Sequence, residues 1–187
     1  MNSRITMDRE EAERSNKARR AALILAFIGL VIVTVLIFLV PGVARTDSMD
    51  PVVNNGDLML MNRMAYSEKR APDYGDITYI KGPGEEKGKE INVPARVIGN
   101  DGDVIELKGG DVYRNGELLD EPYAEGETLP GENGKTKFKV PKESAFVLGD
   151  NRDGAYDSRD CGCVSRRALG GKATFRILPF SEFGTIK

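Results

Sequence analysis

Residues 21–40 form an unbroken apolar run, whereas the hydrophobic positions beyond it come in short bursts divided by glycine, asparagine and charged residues. The run is of helical length. Its 20 residues carry no charge, and at 1.5 Å each they give roughly 30 Å, about the thickness of a bilayer's hydrocarbon core. The pattern predicts one transmembrane helix over residues 21–40. Lys17, Arg19 and Arg20 stand just before it, against a lone Arg45 followed by Asp47 after it, so the charge asymmetry places the N-terminus inside. The expected organisation is a cytoplasmic tail (1–20), a single span of the plasma membrane (21–40) and an extracytoplasmic domain (41–187). A cleaved signal peptide and a buried core helix are the competing readings. The length of the apolar core, the polar residues before it and Pro41-Gly42 after it favour an uncleaved anchor.

The short bursts have the length and spacing of strands. Residues 57–62 follow the Asn54-Asn55-Gly56 turn, and 76–80 follow Tyr74-Gly75. Further strands are predicted over 93–98, 104–107, 112–114, 137–140, 145–148 and 174–178. Gly109-Gly110 reads as a turn and Asn115-Gly116 as a primed hairpin turn. Residues 82–90 and 126–135 read as exposed loops, with one helical turn near 165–169. Residues 41–187 are enough for one domain with a core and too few for two. The expected fold is a mostly β ectodomain behind one helix.

Composition narrows the chemistry. A net charge of −2 with no basic stripe interleaved with aromatics gives no electrostatic case for nucleic acid. The chain has no histidine, so a Ser-His-Asp triad and His-containing zinc sites are excluded. Cys161 and Cys163, one glycine apart and without further thiol or imidazole partners, fall short of a metal site. They read as packing residues or reduced thiols, with a local disulfide as the alternative. No metal and no cofactor is expected.

Ser48 stands in Ser48-Met49-Asp50-Pro51, just beyond the apolar run. A serine hydroxyl is a weak nucleophile, so peptide hydrolysis needs a base for its proton and donors for the oxyanion. Taken alone, the tetrapeptide reads as a turn capped by its serine. Its company changes this. Gly56-Asp57, Gly75-Asp76, Arg96-Val97-Ile98-Gly99 with Gly102-Asp103-Val104, Gly149-Asp150-Asn151-Arg152 and Asp157-Ser158-Arg159 follow in order. This series resembles the type I signal peptidases from the anchor to the C-terminus.

The resemblance implies a signal-peptidase-like β fold and a membrane-bound serine endopeptidase. Such an enzyme removes signal peptides from exported precursors after small residues, so precursors, their signal peptides and the lipid bilayer are the expected partners. Ser48 would be the nucleophile, with its backbone amide and the Thr46 hydroxyl as oxyanion donors. Arg96, Asp150, Asp157 and Arg159 would structure the site, with Asp157 and Arg159 as a buried ion pair. Residues 58–61 and Met64 resemble the family's membrane-proximal apolar surface, although core packing explains alternate members of that strand equally well. The family's aromatic pair after Asp-Ser-Arg is replaced by Cys161 and Cys163.

The resemblance fails at the base. Ala95 occupies the position of the family's general-base lysine, which apolar burial keeps neutral, and Ala155 occupies that of the serine that supports it. Arg96 cannot substitute, since a guanidinium does not release its proton. Three readings follow: an enzyme with an unorthodox base, such as a lysine of 81–89 or a water; a pseudo-peptidase that binds signal-peptide-like or pilin-like segments as an assembly partner; or an engineered Lys-to-Ala trap.

Overall fold

In a computed structural model of the chain, residues 2–83, 90–132 and 134–186 are described, with side chains described outside 2–13, 34–37, 81–83 and 90–92. Two compact units divide it, Met1–Phe38 and Leu39–Lys187. The first is helix α1 (Asn2–Phe38). The polar stretch before residue 21 is therefore helical too. The helix ends two residues short of the predicted span, because Leu39 and Val40 pair with β2 instead. Among the described residues no helix is long and apolar enough to cross a membrane; positions 34–37, inside the apolar run, lie outside the described side chains.

The second unit is built on two antiparallel sheets. The larger runs β1 (Leu39–Val43), β2 (Leu58–Asn62), β11 (Leu169–Leu178), β3 (Ile77–Pro83), β4 (Glu90–Gly99), β9 (Ser144–Leu148) and β10 (Val164–Ser165), with β12 (Gly184–Thr185) pairing β11. The smaller runs β7 (Glu117–Leu118), β6 (Asp111–Arg114), β5 (Val104–Lys108) and β8 (Lys137–Lys139). Its hairpin turns through Asn115 and Gly116 with φ of 56° and 87°, the primed geometry that this pair suits.

The order shows why β4 is buried on both faces. Residues facing each other across an antiparallel pair share a face, so Thr78, Ala95, Val97 and Val147 lie on one side of the sheet, and Ile77, Tyr79, Pro94, Arg96 and Leu148 on the other. Ala95, Val97, Ala145, Val147, Val164 and Leu169 form one core. Met49, Met59, Met61, Ile77 and Tyr79 belong to a second. Ile98, Ile105, Phe138, Phe146 and Leu148 anchor a third, which includes residues from both sheets.

Three predicted elements need correction. The terminal strand starts at Leu169, five residues before the predicted start, and runs through Gly170-Gly171. A Cβ on Gly171 would lie 2.5 Å from the Asn62 carbonyl oxygen, so the residue that reads as a strand breaker is what lets β11 approach β2. Within β2, Met59 and Met61 are core residues, whereas Leu58 and Leu60 are half-buried and Met64 is exposed; the apolar-surface reading therefore fails for the two methionines. The stretch 126–135 is mostly exposed, but Thr128 is buried. Of the lysine-bearing loop 82–90, residues 84–89 lie outside the described residues.

Candidate active site

Ser48 sits in a tight turn in which the Asp50 amide donates to the Asp47 carbonyl at 3.2 Å. It is 3% exposed. Its hydroxyl donates to the Pro94 carbonyl at 2.9 Å and lies 3.0 Å from Thr46 Oγ1. Residues 46 apart in sequence are thus brought to one point, and β4 passes the serine one residue before Ala95. The Gly149-Asp150-Asn151-Arg152 stretch closes over the same place. The Asn151 amide donates to the Ser48 carbonyl at 3.1 Å, and Asn151 Nδ2 to the Asp47 carbonyl at 3.1 Å.

Gly149 shows how tight this closure is. A Cβ there would stand 2.5 Å from the Ser48 carbonyl oxygen and 2.2 Å from the Ala155 Cβ, so only glycine fits between the serine's backbone and residue 155. Ser48, Ala155 and β4 next to Ala95 are therefore neighbours. Two of those three positions end in a methyl group. Ala95 is fully buried, and its cluster is lined by Tyr66 and Ile80 as well as valines.

The charged residues serve the frame. Asp157 Oδ2 accepts from the Gly149 amide at 3.0 Å. The same side chain caps helix α2 (Ser158–Cys161) and takes Arg159 Nε and Nη2 at 3.0 and 2.9 Å. This is the buried pair the sequence suggests. Arg96 and Asp150, each named singly from the sequence, turn out to be partners, bidentate at 2.8 and 2.6 Å. Arg96 also donates to the Gly75 carbonyl at 3.0 Å and lies 4.0 Å from the Tyr123 ring centre. Burial pushes the Asp150 carboxyl up, against the pull of Arg96. Arg152, whose Nε donates to the Gly149 carbonyl at 3.0 Å, is gripped by Glu121 at 3.0 and 2.8 Å and by Thr128.

Sequence reasoning missed Glu121, Thr128 and Tyr123, which carry no motif and act only through contacts across the fold. It also missed Thr78. Facing Ala95 across the β3–β4 pair, Thr78 is fully buried. Lys172 lies opposite Thr78 on the other side, which makes it a candidate for the missing base. Its ammonium is instead held 2.5 Å from Asp76 Oδ1. That hydrogen bond raises its pKa, the wrong direction for a group that must be neutral to accept a proton.

Comparison with known proteins shows the family to which the chain belongs. Residues 17–178 match the family described as signal peptidase, peptidase S26. A signal peptidase IB from Staphylococcus aureus strain Mu50 is 32% identical over 179 residues, 87% of each chain. A probable signal peptidase I-2 from Synechocystis is 33% identical over 143 residues, 75% of this chain and 64% of its own. A crystal structure of a signal peptidase I from Enterococcus faecalis overlaps with a TM-score of 0.45 and 26% identity, covering 56% of this chain and 98% of its own. The protein is a serine endopeptidase by class. It belongs to the signal peptidase family, peptidase S26.

Proposed function

We propose that this protein is a membrane-anchored type I signal peptidase that removes signal peptides from exported precursors after small residues. Ser48 is the nucleophile, and turnover is slowed by the missing base at Ala95. The observation that carries the reading is the Ser48 hydroxyl at 2.9 Å from the Pro94 carbonyl, one residue from the base position and against the Gly149 turn. Attack by Ser48 Oγ on the scissile carbonyl requires its proton to leave. Among the described residues its hydrogen-bond partners are a second hydroxyl and a backbone carbonyl, neither of which is a base at neutral pH. A water or a lysine of 81–89 remains as the acceptor. Thr46 and the Ser48 amide supply the oxyanion donors, while Arg96, Asp150, Asp157 and Arg159 hold the turn that closes on the serine.

The anchor reading rests on the charge-free run at 21–40, in which Leu23, Leu25, Phe27 and Leu30 are each more than 60% exposed, as lipid-facing residues are. Protease added outside sealed vesicles should degrade residues 41–187 and spare 1–20; the reverse pattern sinks the topology. For the chemistry, full-length protein is incubated with a precursor carrying alanine before the cut. Slow cleavage at that bond, lost in Ser48→Ala, is expected. Equal cleavage after lysine or phenylalanine would rule out the substrate class.

A second reading, a pseudo-peptidase that binds such segments without cutting them, is favoured by the direction of the Ser48 hydrogen bond. Its proton points at a carbonyl that cannot take it. Binding of the precursor with no Ser48-dependent cleavage would establish that reading. The engineered-trap reading is decided by the codon for residue 95 in the native gene.

A further inference from the structure

The pair Cys161 and Cys163 has no part in the chemistry above. Both are free thiols, the first exposed and the second half-buried beside the core that joins the two sheets. Between them Gly162 has φ of 80° and ψ of −168°, in the region that glycine adopts without steric cost. Residues two apart are separated by at most roughly 7 Å between Cα atoms, close to the roughly 4.4–6.8 Å that a disulfide spans. Joining the two sulfurs therefore calls for a backbone change at Gly162.

The thiols also stand next to the frame of Ser48. Cys161 Sγ donates to the Asp157 carbonyl at 3.2 Å, in the last turn of a four-residue helix whose end is closed by the Gly162 amide on the Ser158 carbonyl at 3.1 Å. The cap of that helix is the Asp157 carboxylate that holds the Gly149 amide, and Gly149 packs on the Ser48 carbonyl. Moving Cys161 toward Cys163 pulls on both bonds at the end of this short helix.

We propose that Cys161 and Cys163 form a thiol–disulfide exchange site, oxidised to an intrachain disulfide by a protein or small-molecule disulfide, and that its closure loosens the Asp157–Gly149 link beneath Ser48. Exchange begins at the exposed Cys161, whose sulfur attacks the incoming disulfide and releases one thiol. Cys163 then attacks the mixed disulfide, releasing the second thiol and forming the Cys161–Cys163 bond. One S–S bond is broken and one made; two electrons and two protons pass to the incoming disulfide. Burial, with Asp157 adding to it at Cys161, keeps both thiols protonated to higher pH than usual. A strained disulfide so local is easily reduced again, as a reversible site requires.

The test uses full-length protein and oxidised glutathione, with alkylation, intact mass and hydrogen exchange as readouts. Expected are loss of both alkylatable thiols, a mass lower by two hydrogens with no glutathione retained, and Gly149 amide exchange faster by about tenfold while β5 amides keep their rates. Reduction should reverse all three. Cys163→Ser should stop at a glutathione adduct on Cys161, and Cys161→Ser, which lacks the attacking thiol, should react far more slowly. Survival of both thiols, or glutathione retained on the unmutated chain, would overturn the site. Unchanged exchange at Gly149, or a rise throughout β5, would overturn its link to Ser48.

Discussion

Ala95 and Arg96 are neighbours on β4 and face opposite ways, and the two sides of the strand have had opposite fates. On the Arg96 side two buried charges among the described residues are paired: Arg96 with Asp150, and Arg152 with Glu121. On the Ala95 side, the proposed reading has a base and its supporting hydroxyl replaced by the methyl groups of Ala95 and Ala155, with the buried Thr78 facing Ala95 across the strands. The difference follows from what each charge does for folding. Removing one member of a buried pair strands the other, at a cost of about 3–5 kcal/mol, so such pairs are held in place by stability alone. A buried neutral lysine does the reverse. It must give up its proton or its hydration to fold, so replacing it with alanine relieves the fold while removing the chemistry. On the proposed reading, the scaffold would outlast the base.

The largest effect should come from refilling the vacant side. Ala95→Lys with Ala155→Ser is expected to raise turnover of a signal-peptide substrate by about 10²–10⁴, the usual contribution of a general base, and to exceed Ala95→Lys alone. The amine must be neutral to work, and apolar burial lowers its pKa, so the rate of the variant should rise with pH through that value. Its stability should rise over the same direction, since the unfolded chain then binds more protons than the folded one until the ordinary lysine range is reached. A pH-independent rate, or no gain, would mean that the vacancy is not what limits the native chain.

Breaking the charged side comes next. Asp150→Asn leaves Arg96 buried and half-satisfied, and should cost about 3–5 kcal/mol in denaturant unfolding; a loss within error would show that the pairing is dispensable. Gly149→Ala probes the seam between the two sides. Its Cβ would meet Ala155 at 2.2 Å and the Ser48 carbonyl oxygen at 2.5 Å, and a destabilisation of about 1–3 kcal/mol should accompany weaker precursor binding. Unimpaired binding would show that the turn has room to move.

The smallest effect belongs to Lys172, which is 38% exposed. Lys172→Gln should cost no more than about 1 kcal/mol. Because its pKa is raised by Asp76, the difference from the native chain should be full at neutral pH and shrink as pH rises past lysine's usual range into the raised one. A difference that grows with pH would reverse the assignment.

Much of this was written locally. The alternation around β2, β3 and β5, the Asn115-Gly116 turn and the apolar run at 21–40 are set by near neighbours in the chain, and so could be read as strands, hairpin and helix. The motif order also pointed to Ser48 and Ala95 before any contact was known, because residue identity alone tells whether a side chain can accept a proton. What the sequence could not carry is pairing. β11 lies between β2 and β3, far from its position in the chain, and only that placement explains why Gly171 belongs in a strand. Arg96 could not be matched to Asp150, nor Arg152 to Glu121, because ion pairs between residues dozens of positions apart leave no periodicity to read. Burial decided the rest. Whether a hydroxyl meets a base, a carbonyl or nothing depends on which strands the closing of the cores brings together, and that is a property of the folded chain as a whole.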